Sequence, residues 1–121
     1  MNKSETEREI SQAIIRFEKE YMGRGPLETR AFIIEDMVFV RLKGVLTPAE
    51  LKLSESADSE RGRFLIKEVR QELIEKARPL LDKVIKDITG INVVSLHTDI
   101  SSKTGERIIV FTLEQTPELD R

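Results

Sequence analysis

Apolar positions recur along this chain at two different spacings, and each change of spacing marks the boundary of an element. Ile10, Ala13, Ile14, Phe17 and Tyr21 follow a helical period, with Glu9, Arg16, Glu18, Lys19 and Glu20 filling much of the opposite side. Ser4-x-x-Glu7 reads as the capping box that starts this helix, and Gly23-Arg24-Gly25-Pro26 stops it. The period then drops to two. Thr29–Glu35 and Met37–Lys43 are β-rich and meet at Glu35-Asp36, which predicts a tight hairpin.

The stretch from Met37 to Glu50 joins the sheet to the helical layer. Val38, Val40 and Leu42 share one face of a strand, and Met37, Phe39, Arg41 and Lys43 share the other. Gly44 breaks the strand, and Thr47-Pro48-Ala49-Glu50 starts a short helix ending near Ser54: Thr47 caps free amides, Pro48 suits the first turn, and Glu50 closes a capping box. A polar segment, Ser54–Gly62, is expected to be a loop. Phe64, Leu65, Val69, Leu73, Ala77, Leu80, Val84 and Ile88 then hold a helical period as far as Thr89-Gly90, which predicts one long helix kinked at Pro79. Asn92–Ile100 and Arg107–Glu114 form a second strand pair, joined by a turn containing Gly105, before a polar tail, Gln115–Arg121.

The order is therefore α-β-β-α-α-β-β. The fold class expected is α+β: two layers, a four-stranded, mainly antiparallel sheet with helices on one face, in a single domain spanning 1–121 with its core at about 5–115.

Composition narrows the chemistry more than it names it. The 121 residues suit one domain, and a net charge of −2 gives no global attraction to nucleic acid or anionic lipid. The chain has no cysteine, which removes disulfides, thiolate metal sites and cysteine nucleophiles and is compatible with a cytoplasmic location. No apolar run approaches the roughly 20 residues that span a bilayer, so no membrane insertion is expected.

Strand alternation defines the candidate site. With Val38, Val40, Leu42, Val94 and Leu96 towards the helices, Phe39, Arg41, Lys43, Val93, Ser95, His97 and Asp99 fall on the far face. The last strand, with Ile108, Ile109, Val110, Phe111 and Leu113, is apolar on both faces, so the far face is expected to seek a partner. Phe39, Val93 and Phe111 are the expected interface of a homodimer. Arg41, Lys43, His97 and Asp99 are the alternative, a small-ligand site or an unrecognised enzyme.

Ser95, His97 and Asp99 evoke a triad, but neighbours on one strand face stand roughly 7 Å apart, too far for its two hydrogen bonds. His97 and Asp99 supply at most two metal ligands, and neither a metal site nor a cofactor is expected. Phe39 and Phe111 beside Arg41 and Lys43 loosely resemble a single-stranded RNA platform. The signature run of such modules is missing, and no nucleic acid is expected. Lys67, Glu68, Arg70, Gln71 and Glu72 read as the solvated side of the long helix, with Arg70 and Arg78 salt-linked at the surface.

Three runs, GPLETRAFIIEDMVFVRLKGVLTPAE, VRQELIEKARPLL and ITGINVVSLHTDISSKTGERIIVFTL, together resemble the MpsC family over about residues 5–115. The most telling positions are Arg41-Leu42-x-Gly44-x-Leu46-Thr47-x-x-Glu50, Arg70 with Arg78, and the strand carrying His97 and Asp99. That family is named for a soluble component of a sodium-translocating, membrane-potential-generating system associated with inorganic-carbon supply. The resemblance implies a non-enzymatic accessory or regulatory protein, held at the membrane by a membrane-protein partner, with no catalytic residues to carry over.

Overall fold

In the computed structural model, which describes residues 2–55 and 59–119, the first helical stripe forms α1, Lys3–Tyr21. It starts earlier than the Ser4 box predicts because Asn2 takes the cap. Asn2 Oδ1 accepts from the Glu5 amide at 2.8 Å, and Asn2 Nδ2 donates to Glu5 Oε1 at 2.8 Å. Met22 closes the far end through its amide to the Glu18 carbonyl, and Gly23 comes next at φ 81°.

The predicted hairpin is β1, Glu28–Ile34, and β2, Met37–Lys43, with Ile34 opposite Met37. Its two-residue turn holds Glu35 at φ 56°, a conformation that side chains other than glycine and asparagine rarely take. Gly44, at φ 67°, turns the chain out of β2 where any Cβ would run into the Leu27 side chain. α2, Pro48–Ser54, carries both halves of the predicted capping box, Thr47 with Glu50.

Most of the polar segment expected as a loop is otherwise disposed. Residues 56–58 lie outside the described residues, and Ser59–Gly62 are already helical, the first turn of α3, Ser59–Thr89. α3 is one helix that runs through Pro79. Gly62 is buried where α2 and α3 meet, and a Cβ there would overlap the Leu53 carbonyl oxygen.

β3, Val93–Ile100, and β4, Arg107–Leu113, complete the sheet. Strand order is β1-β2-β4-β3, with every neighbouring pair antiparallel. The route from β2 through α2 and α3 to β3 leaves a gap in the sheet, and β4 returns to fill it. The expected α+β architecture is thus the observed one, with an open sheet.

The core lies between the sheet and the helices. Ile10, Ile14 and Phe17 of α1 and Ile66, Ile74, Leu81 and Ile85 of α3 are buried against Val38, Val40, Leu42, Ile109 and Phe111. Leu119, in the tail expected to be polar and trailing, packs against this core as well.

Alternation fails at one point in β3. Val93 pairs with Leu113 but Ser95 pairs with Thr112, so the strand carries a bulge between them. The extra residue reverses the expected facing. Val93 packs on the core and Val94 is 60% exposed. Phe111 is corrected too: it lies opposite Val38, in phase with Ile109 and Leu113, and is fully buried.

Candidate functional site

The register lays out the uncovered face as three rows across the strands, in the order β1, β2, β4, β3. Arg30, Arg41, Ile108 and Asp99 make one row, Phe32, Phe39, Val110 and His97 the next, and Ile34, Met37, Thr112 and Ser95 the third. The middle row is the apolar centre. Phe32 is 39% and Ile34 49% exposed, and the Phe32 and Phe39 rings stand 6.5 Å apart in a tilted pair. Of the expected interface residues, Phe39 lies here. Val93 and Phe111 do not, so Phe39 and Phe111 sit on opposite faces and form no common stacking platform.

The expected ligand residues divide into two groups. Arg41 and Lys43 share β2 and line a dip of about 150 Å³ with Glu28, Arg30 and Phe32. His97 and Asp99 are on β3, with β4 between, which separates the two strands by roughly 10 Å. Each charge has a local partner. Arg41 Nη2 lies 2.8 Å from Glu106 Oε2, Lys43 Nζ 3.8 Å from Glu28 Oε2, and Lys67 Nζ 3.5 Å from Asp99 Oδ1. His97 lines a cleft with Gln71, Ile74, Glu75 and Arg78 of α3. Among the described residues no group of three or more histidines and carboxylates is placed to hold a metal ion.

The polar centre that sequence reasoning missed is inside. Arg70 is buried rather than on the solvated side of α3. Its Nε donates to Glu50 Oε2 at 2.9 Å, and its Nη2 donates both to Glu50 Oε1 at 2.6 Å and to the Val45 carbonyl at 2.8 Å. Glu18 of α1 is wholly buried, with Oε2 3.7 Å from Arg70 Nη1, and neither of its carboxylate oxygens receives a hydrogen bond. Arg107 of β4 is buried alongside and donates through Nη1 to the Thr98 hydroxyl at 2.8 Å.

Two carboxylates and two guanidiniums therefore join α1, α2, α3, β4 and the corner after β2 with no net formal charge. Burial pushes Glu18 above the usual carboxylate range, against the pull of Arg107 and Arg70. Burial also acts to raise Glu50, but the hydrogen bonds from Arg70 and Thr47 outweigh it and hold that carboxyl low. Arg107 is lowered by burial despite Glu18 nearby.

A signal for this cluster exists in the sequence. Glu18 continues the Ile10, Ile14 spacing, Arg70 falls between Ile66 and Ile74, and Arg107 is in phase with Ile109, Phe111 and Leu113. Each is a charge on an apolar stripe. By contrast Arg78 is at the surface as expected, 3.7 Å from Asp82 one turn on.

Among the described residues no helix is long and apolar enough to cross a membrane. The family model described as "Na+-translocating membrane potential-generating system (MpsC)" matches residues 2–115. The Bacillus subtilis (strain 168) protein printed as "Uncharacterized protein YbcI" is 46% identical over 112 residues, 93% of this chain and 88% of that protein. No solved structure gives a significant match. With nearly its whole length covered by both comparisons, this chain belongs to the MpsC family.

Proposed function

We propose that this protein is a non-enzymatic accessory or regulatory subunit of a sodium-translocating, membrane-potential-generating assembly, and that it works from the cytoplasmic side through its uncovered sheet face. The family match over residues 2–115 carries this reading, because it concerns the whole domain and not a local motif. Two features of the molecule support it. The sheet leaves Phe32, Ile34 and Phe39 partly exposed in one contiguous region, which suits a protein whose task is to be bound. No helix among the described residues can cross a membrane, so attachment there would come through a membrane-protein partner, the membrane component of an ion or inorganic-carbon transport system.

The test is physiological. In cells lacking this chain, the sodium-dependent part of the membrane potential, read with a potential-sensitive dye as external sodium is varied, should fall. Wild-type protein should restore it, and Phe39→Glu, which places a charge at the centre of the uncovered face without touching the core, should not. A deletion that leaves the sodium response unchanged would overturn the role. Full complementation by a folded Phe39→Glu would overturn the choice of surface.

A further inference from the structure

A partly apolar sheet face that serves as a binding surface needs an occupant. We infer that the uncovered sheet face is filled by a second copy of this chain, related by a two-fold axis that lies in the interface, parallel to the strands and between β2 and β4. The inference rests on the reading that this face is the binding surface. It adds the identity of the partner and the way the two faces meet.

The charge pattern chooses the axis. A two-fold along the strands turns each row of the face onto itself in reverse, so β1 of one copy covers β3 of the other and β2 covers β4. Arg30 then lies over Asp99 of the second copy, and the same pair recurs at the opposite edge. Phe39 lies over Val110 of the second copy, which closes the apolar centre. Both charged side chains are reachable from outside, Arg30 being 70% and Asp99 82% exposed, although each also lies beside an ion partner of its own chain, Glu28 at 3.9 Å and Lys67 at 3.5 Å. The other in-plane two-fold, across the strands, sets Arg30 over Ile34 of the second copy and Asp99 over Ser95, so neither charge meets an opposite charge across the seam.

Size allows the pairing. Four strands about 4.8 Å apart and seven residues long at about 3.4 Å each give a plane of roughly 450 Å² per copy, near 900 Å² for two. Side-chain relief raises the accessible area above that projection and brings it to about the 1,000 Å² at which specific interfaces begin.

Because the chain has no cysteine, single introduced thiols report the geometry directly. Purified Arg30→Cys and Asp99→Cys proteins, mixed and treated with a bis-maleimide of about 10 Å span, the usual separation of packed sheets, should give a covalent dimer on a denaturing gel. Each protein alone should give little. Light scattering of the wild type should report twice the chain mass. Arg30→Glu and Asp99→Arg should each weaken the dimer at least about tenfold, and the two changes together in one chain should restore it.

Cross-linking of either single-cysteine protein with itself as readily as with the other would overturn the axis, and a monomer mass for the wild type would overturn the dimer. The two levels fail separately. A monomer whose Phe39→Glu variant still fails in cells removes the second copy and keeps the surface for another partner. A specifically cross-linked dimer whose Phe39→Glu variant complements keeps the pairing and removes the accessory reading.

Discussion

Arg70 is a buried side chain that ties several parts of this molecule together. It grips Glu50 with two nitrogens and the Val45 carbonyl with one of them, so a single guanidinium fastens α3 to α2 and to the corner leaving β2. Removing it takes both guanidinium bonds from Glu50 and leaves the wholly buried Glu18 with Arg107 as its remaining counter-charge. Arg70→Ala should therefore cost about 3–5 kcal/mol in urea unfolding, the range for breaking one side of a buried ion pair. An exposed arginine, Arg78→Ala, should cost under about 1 kcal/mol and serves as the control. The same cluster sets a pH response. Glu50 is held below 4.5, so the stability it contributes is present above that value and is lost as pH falls through its folded pKa. Glu18 has the opposite sign: raised above 4.5, it makes the fold less stable as pH rises through the interval up to its folded value. Between about pH 5 and pH 3 the urea midpoint of Glu50→Gln should fall less steeply than that of the wild type, and parallel curves would refute the assignment.

At the level of elements, the decisive contact is the one between α2 and α3. α2 buries no side chain fully, yet it delivers Glu50 to the interior, and its position depends on how closely Leu53 approaches Gly62. Glycine is needed there for space, not for backbone angle. Gly62→Ala gains helix propensity worth about 1 kcal/mol in an open helix, but here the methyl collides with backbone. The variant should be less stable than wild type by about 1–3 kcal/mol, the usual cost of overpacking, and a rise in melting temperature would show that the helices can part without penalty.

Elements and their order were legible in the sequence because periodicity reports them directly. Both hairpin strands, the Thr47 cap and the long helix through Pro79 follow from spacing alone. Two kinds of feature were not. Counting by twos along β3 assigns Val93 to the wrong face because a bulge adds a residue without leaving any mark in composition. Likewise Glu18, Arg70 and Arg107 each stand on an apolar stripe, but the stripes do not say that the three meet, since burial of a charge is worthwhile only where its partners converge, and convergence belongs to the tertiary fold.

As a whole molecule, the protein differs sharply from one side of its sheet to the other. The helical side carries the core and the neutral ion cluster, while the other side of the same strands is left partly apolar. Alternation lets β2 and β4 serve both at once, with Val38 and Phe111 inward and Phe39 and Val110 outward. The candidate surface was thus only half visible in advance. Phe39 was placed correctly by strand phase, and Arg30 and Asp99 acquire their relation only from the strand order, which brings β1 and β3 to opposite edges.

That strand order has a consequence for how the protein is born. β4 is the last of the four strands to leave the ribosome, yet it sits between the two that would otherwise bound a gap, and it brings Arg107 to its buried counter-charges. Without β4 in place, the β1–β2 hairpin and β3 share no backbone hydrogen bonds, because β4 is the strand that pairs with both β2 and β3. Closure of the sheet must then come as one late step of folding, dependent on contacts distant in sequence.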